Sequence, residues 1–312
     1  MVSQELGILG IAAAITGGIQ GLGFLVAYAL QTEKFYDILG GINFLAIGIY
    51  SAIDGSSDDQ LWSDDPRKIS ATVLFLVSRL WLLTFLAWRA HERGGDARFD
   101  EWLGYDKFFI FGFVWFFQAV WVFCISLPII FINGSDKVYD GLNPIDYVSI
   151  VFFAIAIVVE IAADVQKAVW VKKGRQGGFC QVGVWKYSRH PNYFGEMLQW
   201  WCAFGLAFYS GTGWDDAQWW TSILSPLMTM QILLNTSGTG VANANGKNLK
   251  RYYDKVPEAY AKYRKETSIL IPMVGYQYVP MFLKRTIFFD WAKYEYKPEE
   301  SKPDFNYNTF AS

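Results

Sequence analysis

Apolar runs long enough to cross a bilayer alternate along this chain with short clusters of charge. A spanning helix needs roughly 20 apolar residues, and the runs predict helices from Leu6 to Leu30, Ile38 to Ile53, Ile69 to Trp88, Phe108 to Ile132, Ile145 to Val171, Phe194 to Ser210 and Trp219 to Leu234. The second and sixth are short. The expected fold is all-α, a polytopic membrane helical bundle of about seven transmembrane helices. The first run has no basic flank and exceeds a signal-peptide core, so it is expected to remain as a span. Gly17 and Gly21 within it have the small-xxx-small spacing that permits close helix approach.

The connections supply an orientation, because basic loops stay on the cytosolic side. Arg89, Arg93, Arg98 and Lys107 fill the third connection, and Lys172, Lys173, Arg175, Lys186 and Arg189 the fifth. The second is rich in acid (Asp54, Asp58, Asp59, Asp64, Asp65), the fourth has only Lys137, and the sixth, SGTGWDDAQW, has no basic residue. A serpentine path then puts the N-terminus outside. Of the sequons at Asn133 and Asn235, only Asn133 would face the glycosylated side. The basic stretch from Asn243 onward would be cytosolic. Within it, NLKRYYDKVPEAYAKYRKETSILIP reads as an amphipathic helix, lying on the membrane or covering a pocket. The domain organisation expected is one transmembrane domain over 1–285, with its motifs concentrated in 145–275, and a loosely ordered polar tail over 286–312 carrying Lys297, Pro298, Lys302 and Pro303.

Composition narrows the function. The chain is 53% hydrophobic and 18% charged with a formal net charge of -2, so it has no basic face for a nucleic acid. Three cysteines and two histidines are too few for a disulfide framework or a multi-histidine metal site, and no metal is expected.

Candidate chemistry gathers in GVWKYSRHPNYFGEMLQWW, Gly183 to Trp201. Arg189, His190, Asn192, Tyr193 and Glu196 stand where a loop enters an apolar segment, and each needs a polar partner there. Pro191 marks a helix start, since a first-turn proline loses no intrahelical bond. A helix N-terminus beside Arg189 suits an anion such as phosphate. The plainer alternative is a snorkelling anchor with Trp185, Tyr187 and Tyr193 as an interfacial belt. In the preceding span Glu160, Asp164 and Lys167 recur at i, i+4 and i+7 on one face, either turned into the bundle for function or closed as an Asp164–Lys167 ion pair. Arg79, alone in the third span, calls for a buried carboxylate. GTGVANA at 238–244 mimics a dinucleotide fingerprint, but no βαβ pattern surrounds it.

Five stretches together resemble membrane reductases of the steroid 5-alpha-reductase C-terminal type and the related domain-of-unknown-function family: FYDILGG at 35–41, SRLWLLTFLAWRAHERGGDARFDEW at 78–102, EIAADVQK at 160–167, GVWKYSRHPNYFGE at 183–196 and YAKYRKETSILIP at 260–272. The resemblance implies NADPH held in a pocket open to the cytosol, with Asp164, Arg189, Asn192, Tyr193, Glu196, Tyr253 and Arg264 matching the cofactor contacts. It also implies hydride delivery to an electron-poor carbon–carbon double bond of a lipid-soluble steroid, sterol or enoyl-lipid substrate. Asp37, Arg79 and Glu160 are the candidate catalytic residues, chosen as polar side chains and not by matching to the family's substrate contacts. The expected setting is an integral membrane protein in contact with membrane lipids, in the endoplasmic reticulum if the source is eukaryotic. Gly40 departs from the pattern where a tryptophan is usual, and Asn243 to Asn248 departs where an acid is common. RHPNY also resembles isoprenylcysteine carboxyl methyltransferases, which use S-adenosylmethionine. A non-catalytic lipid-binding protein is the third reading.

Overall fold

The computed structural model describes residues 2–55, 64–93, 99, 101–135, 141–208, 217–236 and 240–295. Among them the regular structure is helical, and Ser188 and Ser268 form a single isolated bridge. The long helices are α1 (Val2–Leu30), α2 (Tyr36–Asp54), α3 (Pro66–Arg93), α4 (Phe108–Gly134) and α5 (Pro144–Lys172). These five are long and apolar enough to cross a membrane, and they make the chain an integral membrane protein. Their ends follow the sequence chemistry: Pro66 and Pro144 open α3 and α5, where the missing N–H costs no helical bond.

The expectation of seven spans is met at five. The sixth apolar run forms α6 (Pro191–Ala207), which is 17 residues long, at the lower limit for a crossing. The seventh is interrupted at Ile223 into α7 (Ala217–Ser222) and α8 (Leu224–Asn235). The single amphipathic helix expected beyond it is two, α9 (Gly240–Lys255) and α10 (Pro257–Glu266). The residue before a proline avoids helical dihedrals, and Val256 is accordingly non-helical ahead of Pro257. A short helix, α11 (Met281–Thr286), follows.

The chain divides into two compact units, Met1–Val158 with Gly195–Met230, and Val159–Phe194 with the chain from Gln231 onward. In the first, α1 to α4 pack on aromatic cores such as Phe99, Phe111 and Trp115, and two buried polar clusters are closely paired. Arg67 donates Nε and Nη2 to the two oxygens of Asp146 at 2.9 and 2.7 Å. Asn133 is 1% exposed, and its amide donates to Ser51 and Thr72, each at 3.0 Å. A carboxamide so enclosed serves the packing of α2, α3 and α4. Gly40 is small because Gln118 fills the space beside it: a Cβ would lie 2.7 Å from Gln118 Nε2.

The second unit is built on tyrosines. Phe179, Leu249, Tyr260 and Tyr263 form its core with Tyr252 and Tyr253 against them. Tyr263 donates to the Trp185 carbonyl at 2.5 Å, and Trp185 Nε1 to the Ala163 carbonyl at 2.9 Å, so the loop before α6 is tied to both α10 and the end of α5. The stretch expected to be a loose tail from Phe288 is packed at its start. Tyr294 is buried and donates to the Leu234 carbonyl. Lys297, Pro298, Lys302 and Pro303 lie outside the described residues.

Candidate functional site

The site is organised by Arg189. Its backbone N–H donates to the Ser268 carbonyl at 2.9 Å, across the bridge joining the loop before α6 to the chain after α10. Its side chain is 4% exposed. Nε donates to the Thr267 carbonyl at 3.2 Å and Nη2 to Asp290 Oδ2 at 2.5 Å. Nη1 is buried and has no hydrogen-bond partner among the described residues. A guanidinium carries five donors in a rigid fork, and leaving one nitrogen bare inside a protein is costly unless a ligand uses it.

Arg189 lies on a cleft of about 470 Å³, within the range of small-molecule sites. Among the described residues lining it, the cations Arg189, Arg264, Lys265, Lys284 and Arg285 face two carboxylates, Asp290 and Glu295. Both carboxylates are already engaged. Asp290 also accepts from the Tyr276 hydroxyl at 2.8 Å, while Arg285 donates to the Asp290 carbonyl and pairs with Glu295. Arg264 is aimed by donation to the Tyr294 carbonyl at 2.8 Å. The surplus is positive, and the cleft is chemically a receptor for an anion of more than one charge.

The surrounding ionisable groups carry the mark of that charge. Burial, then the cations Lys167, Arg189 and Arg264, hold the His190 imidazole well below its ordinary value near 6.5, so it is neutral at physiological pH. Its ring stacks on Tyr193 with centroids 5.3 Å apart. Burial pushes the Tyr260 hydroxyl up to about 12 against the opposing pull of Arg189 and Arg264. Tyr276 is raised by burial first and by the Asp290 carboxylate second, so it stays a donor to Asp290.

Of the residues singled out in the sequence, Arg189, Tyr253 and Arg264 line this cleft. Asp164, Asn192 and Tyr193 belong to the same unit outside that lining. Asp164 and Glu160 are buried on α5, and Asn192 Oδ1 is buried with no hydrogen-bond partner. Lys167 lies over the Trp185 ring, 4.3 Å from its centroid. Glu196 falls in the other unit, where its Oε1 meets Arg79 Nη1 at 3.3 Å. That is the carboxylate Arg79 required. Arg79 is fully buried, donates Nη2 to Ser78 Oγ at 2.7 Å, and lies 4.7 Å from the Trp200 ring centroid and 5.4 Å from that of Phe44. Asp37 sits half-buried in the first turn of α2. Tyr276, Lys284, Arg285 and Asp290 were not legible as site residues. Asp290 meets Arg189 across 101 positions of chain, and no local pattern announces such a partner. Among the described residues no cluster of metal-ligating side chains occurs.

Spanning helices and a cationic cleft define a helical integral membrane protein with a candidate anion site. The chain belongs to the family described as Protein of unknown function (DUF1295), whose model matches residues 23–267. No curated protein and no solved structure matches it.

Proposed function

We propose that the protein is an NADPH-dependent membrane reductase acting on a carbon–carbon double bond of a lipid-soluble substrate, kin to the steroid 5-alpha-reductases that its motifs resemble. In this reading seven segments cross the membrane, and the cleft faces the cytosol, where the cofactor is. The observation that carries the reading is Arg189, buried with an unpartnered Nη1 on a cleft whose cations outnumber its carboxylates five to two. That donor set fits a phosphate better than a neutral ligand.

Arg189 and Arg264 hold phosphate oxygens, Lys265 and Lys284 neutralise the remaining charge, and Tyr253 offers an aromatic edge. The bound cofactor would supply a hydride. Arg79 is not the proton source, because a guanidinium does not give up its proton in a protein; its role is to hold Glu196. Asp37 and Glu160 are the carboxyl groups proposed to handle the proton.

The test is ligand-dependent stabilisation of the purified protein against heat. A ligand at about 100 times its dissociation constant adds about 2.7 kcal/mol when it binds only the folded state. NADPH should raise the melting temperature, NADH should do so less for want of the 2′-phosphate, and S-adenosylmethionine should have no effect. A response to S-adenosylmethionine alone would move the protein to the methyltransferase class, and a folded preparation indifferent to all three would reject the reductase reading.

A further inference from the structure

Outside the apolar spans, the second unit carries an apolar surface that none of its described residues covers. Val274 is 80% exposed, Tyr278 83%, Phe282 70% and Ile287 54%. They lie within 14 consecutive residues, from Val274 to Ile287, on a turn and the short helix α11. Large apolar side chains at that density are rare on a surface facing water. The helix is two-faced. Met281, Lys284 and Arg285 line the cationic cleft, while Phe282 and Thr286 point away from it and are exposed. Tyr187, also exposed, is joined to the start of this stretch, its carbonyl accepting the Met273 N–H at 3.2 Å.

We propose that the segment from Val274 to Ile287 is a monotopic membrane anchor, seated in the headgroup layer with Tyr278, Phe282 and Ile287 among lipid. Three observations select lipid over a protein partner. The same unit contains Val159–Lys172, the end of the spanning helix α5, so a bilayer surface is present wherever this unit is. Exposed Lys293 follows the segment closely, giving a basic flank that an anionic leaflet attracts. Tyrosine and phenylalanine beside cations are the composition of interfacial segments. Because α11 also lines the cleft, the cleft opens at headgroup level, and a lipid-soluble molecule and a water-soluble anion can reach it from its two sides. The anchor is independent of which ligand the cleft takes.

The experiment places single cysteines at Tyr278, Phe282 and, as a control on exposed α10, Lys262, in a background lacking Cys124, Cys180 and Cys202. Each is labelled with an environment-sensitive fluorophore in the full chain, one copy per lipid nanodisc containing anionic lipid. Labels at 278 and 282 should shift to the blue, be quenched by a shallow nitroxide lipid and be spared by aqueous iodide; the label at 262 should be quenched by iodide. Iodide quenching at 278 and 282 would overturn the anchor. Protection from both quenchers would also overturn it, because the patch would then be covered by the chain itself. A blue shift that appears only when two copies share a disc would assign the surface to a second copy instead. All three positions are exposed, and retention of the wild-type melting temperature certifies that the fold is intact.

Discussion

Arg67 and Arg79 in the first unit and Arg189 in the second are all buried arginines facing a carboxylate, and they differ in what is left over. Arg67 is matched to both oxygens of Asp146. Arg79 spends Nη1 on Glu196 and Nη2 on Ser78, between the rings of Phe44 and Trp200. Those pairs are closed, and a closed pair organises helices without inviting a ligand. Arg189 has the shortest contact of the three with its carboxylate, yet keeps Nη1 bare on the wall of a cleft with excess positive charge. A buried charge marks a ligand site when its hydrogen-bonding capacity is unfinished; burial by itself does not.

The largest effect should come from breaking a closed pair. Arg67→Ala leaves Asp146 uncompensated among buried groups and should cost about 3–5 kcal/mol of stability, whereas replacing both partners, Arg67→Met with Asp146→Leu, should recover most of the loss. Thermal unfolding of the purified protein reads both. If the double replacement is as damaging as the single, the pair has a role beyond closure. The open arginine should behave in the opposite way. Arg189→Lys keeps the charge but loses the fork, and with charge-assisted hydrogen bonds worth about 1.5–3 kcal/mol, NADPH should bind roughly tenfold to a hundredfold more weakly in a titration. The melting temperature of the ligand-free protein should move little. A fall in stability with unchanged affinity would put Arg189 in the same class as Arg67.

The neutral imidazole beside the open site gives a third test. Folding holds the His190 value well below the ordinary 6.5, so below pH 6.5 the unfolded chain takes up a proton that the folded chain refuses. Stability should therefore be level in this respect above pH 6.5 and fall as pH drops from there, by up to about 1.4 kcal/mol per pH unit. His190→Gln should remove that slope, measured by unfolding at a series of pH values. The smallest effect is expected at Asp290, which positions Arg189. Asp290→Asn keeps the shape but weakens the hold on Nη2 by about 1 kcal/mol. The preference for NADPH over NADH should narrow by roughly fivefold, while affinity for NADH stays near wild type. An equal loss for both nucleotides would show that Asp290 acts on the fold and not on the phosphate seat.

Much of this was legible along the chain, for identifiable reasons. Spanning helices announce themselves because every backbone group in lipid must be satisfied within the segment, which demands a long uniform apolar run; α1 to α5 supply it. Arg189 could be singled out because a cation at the mouth of an apolar helix is expensive wherever it sits. Pro191 fixed a helix start through the geometry of its ring, whereas the break ahead of Pro257 went unread within one continuous amphipathic pattern. Arg79 could be assigned a carboxylate partner in kind, though not in person.

What the sequence could not contain is the partner's address. Glu196 lies four positions from Asn192 and looks like part of the same polar group, yet packing gives it to Arg79, 117 positions away in the chain. Asp290 sits in a stretch with the composition of a loose tail. It becomes the keystone of the cleft only because Tyr294 is buried and Tyr276 and Arg285 converge on it. Hydrophobic periodicity and proline geometry act within one element, so a local reading determines them. Whether a buried charge is closed or open depends on the donors and acceptors that distant segments bring within hydrogen-bond range of it, and only the tertiary structure decides that.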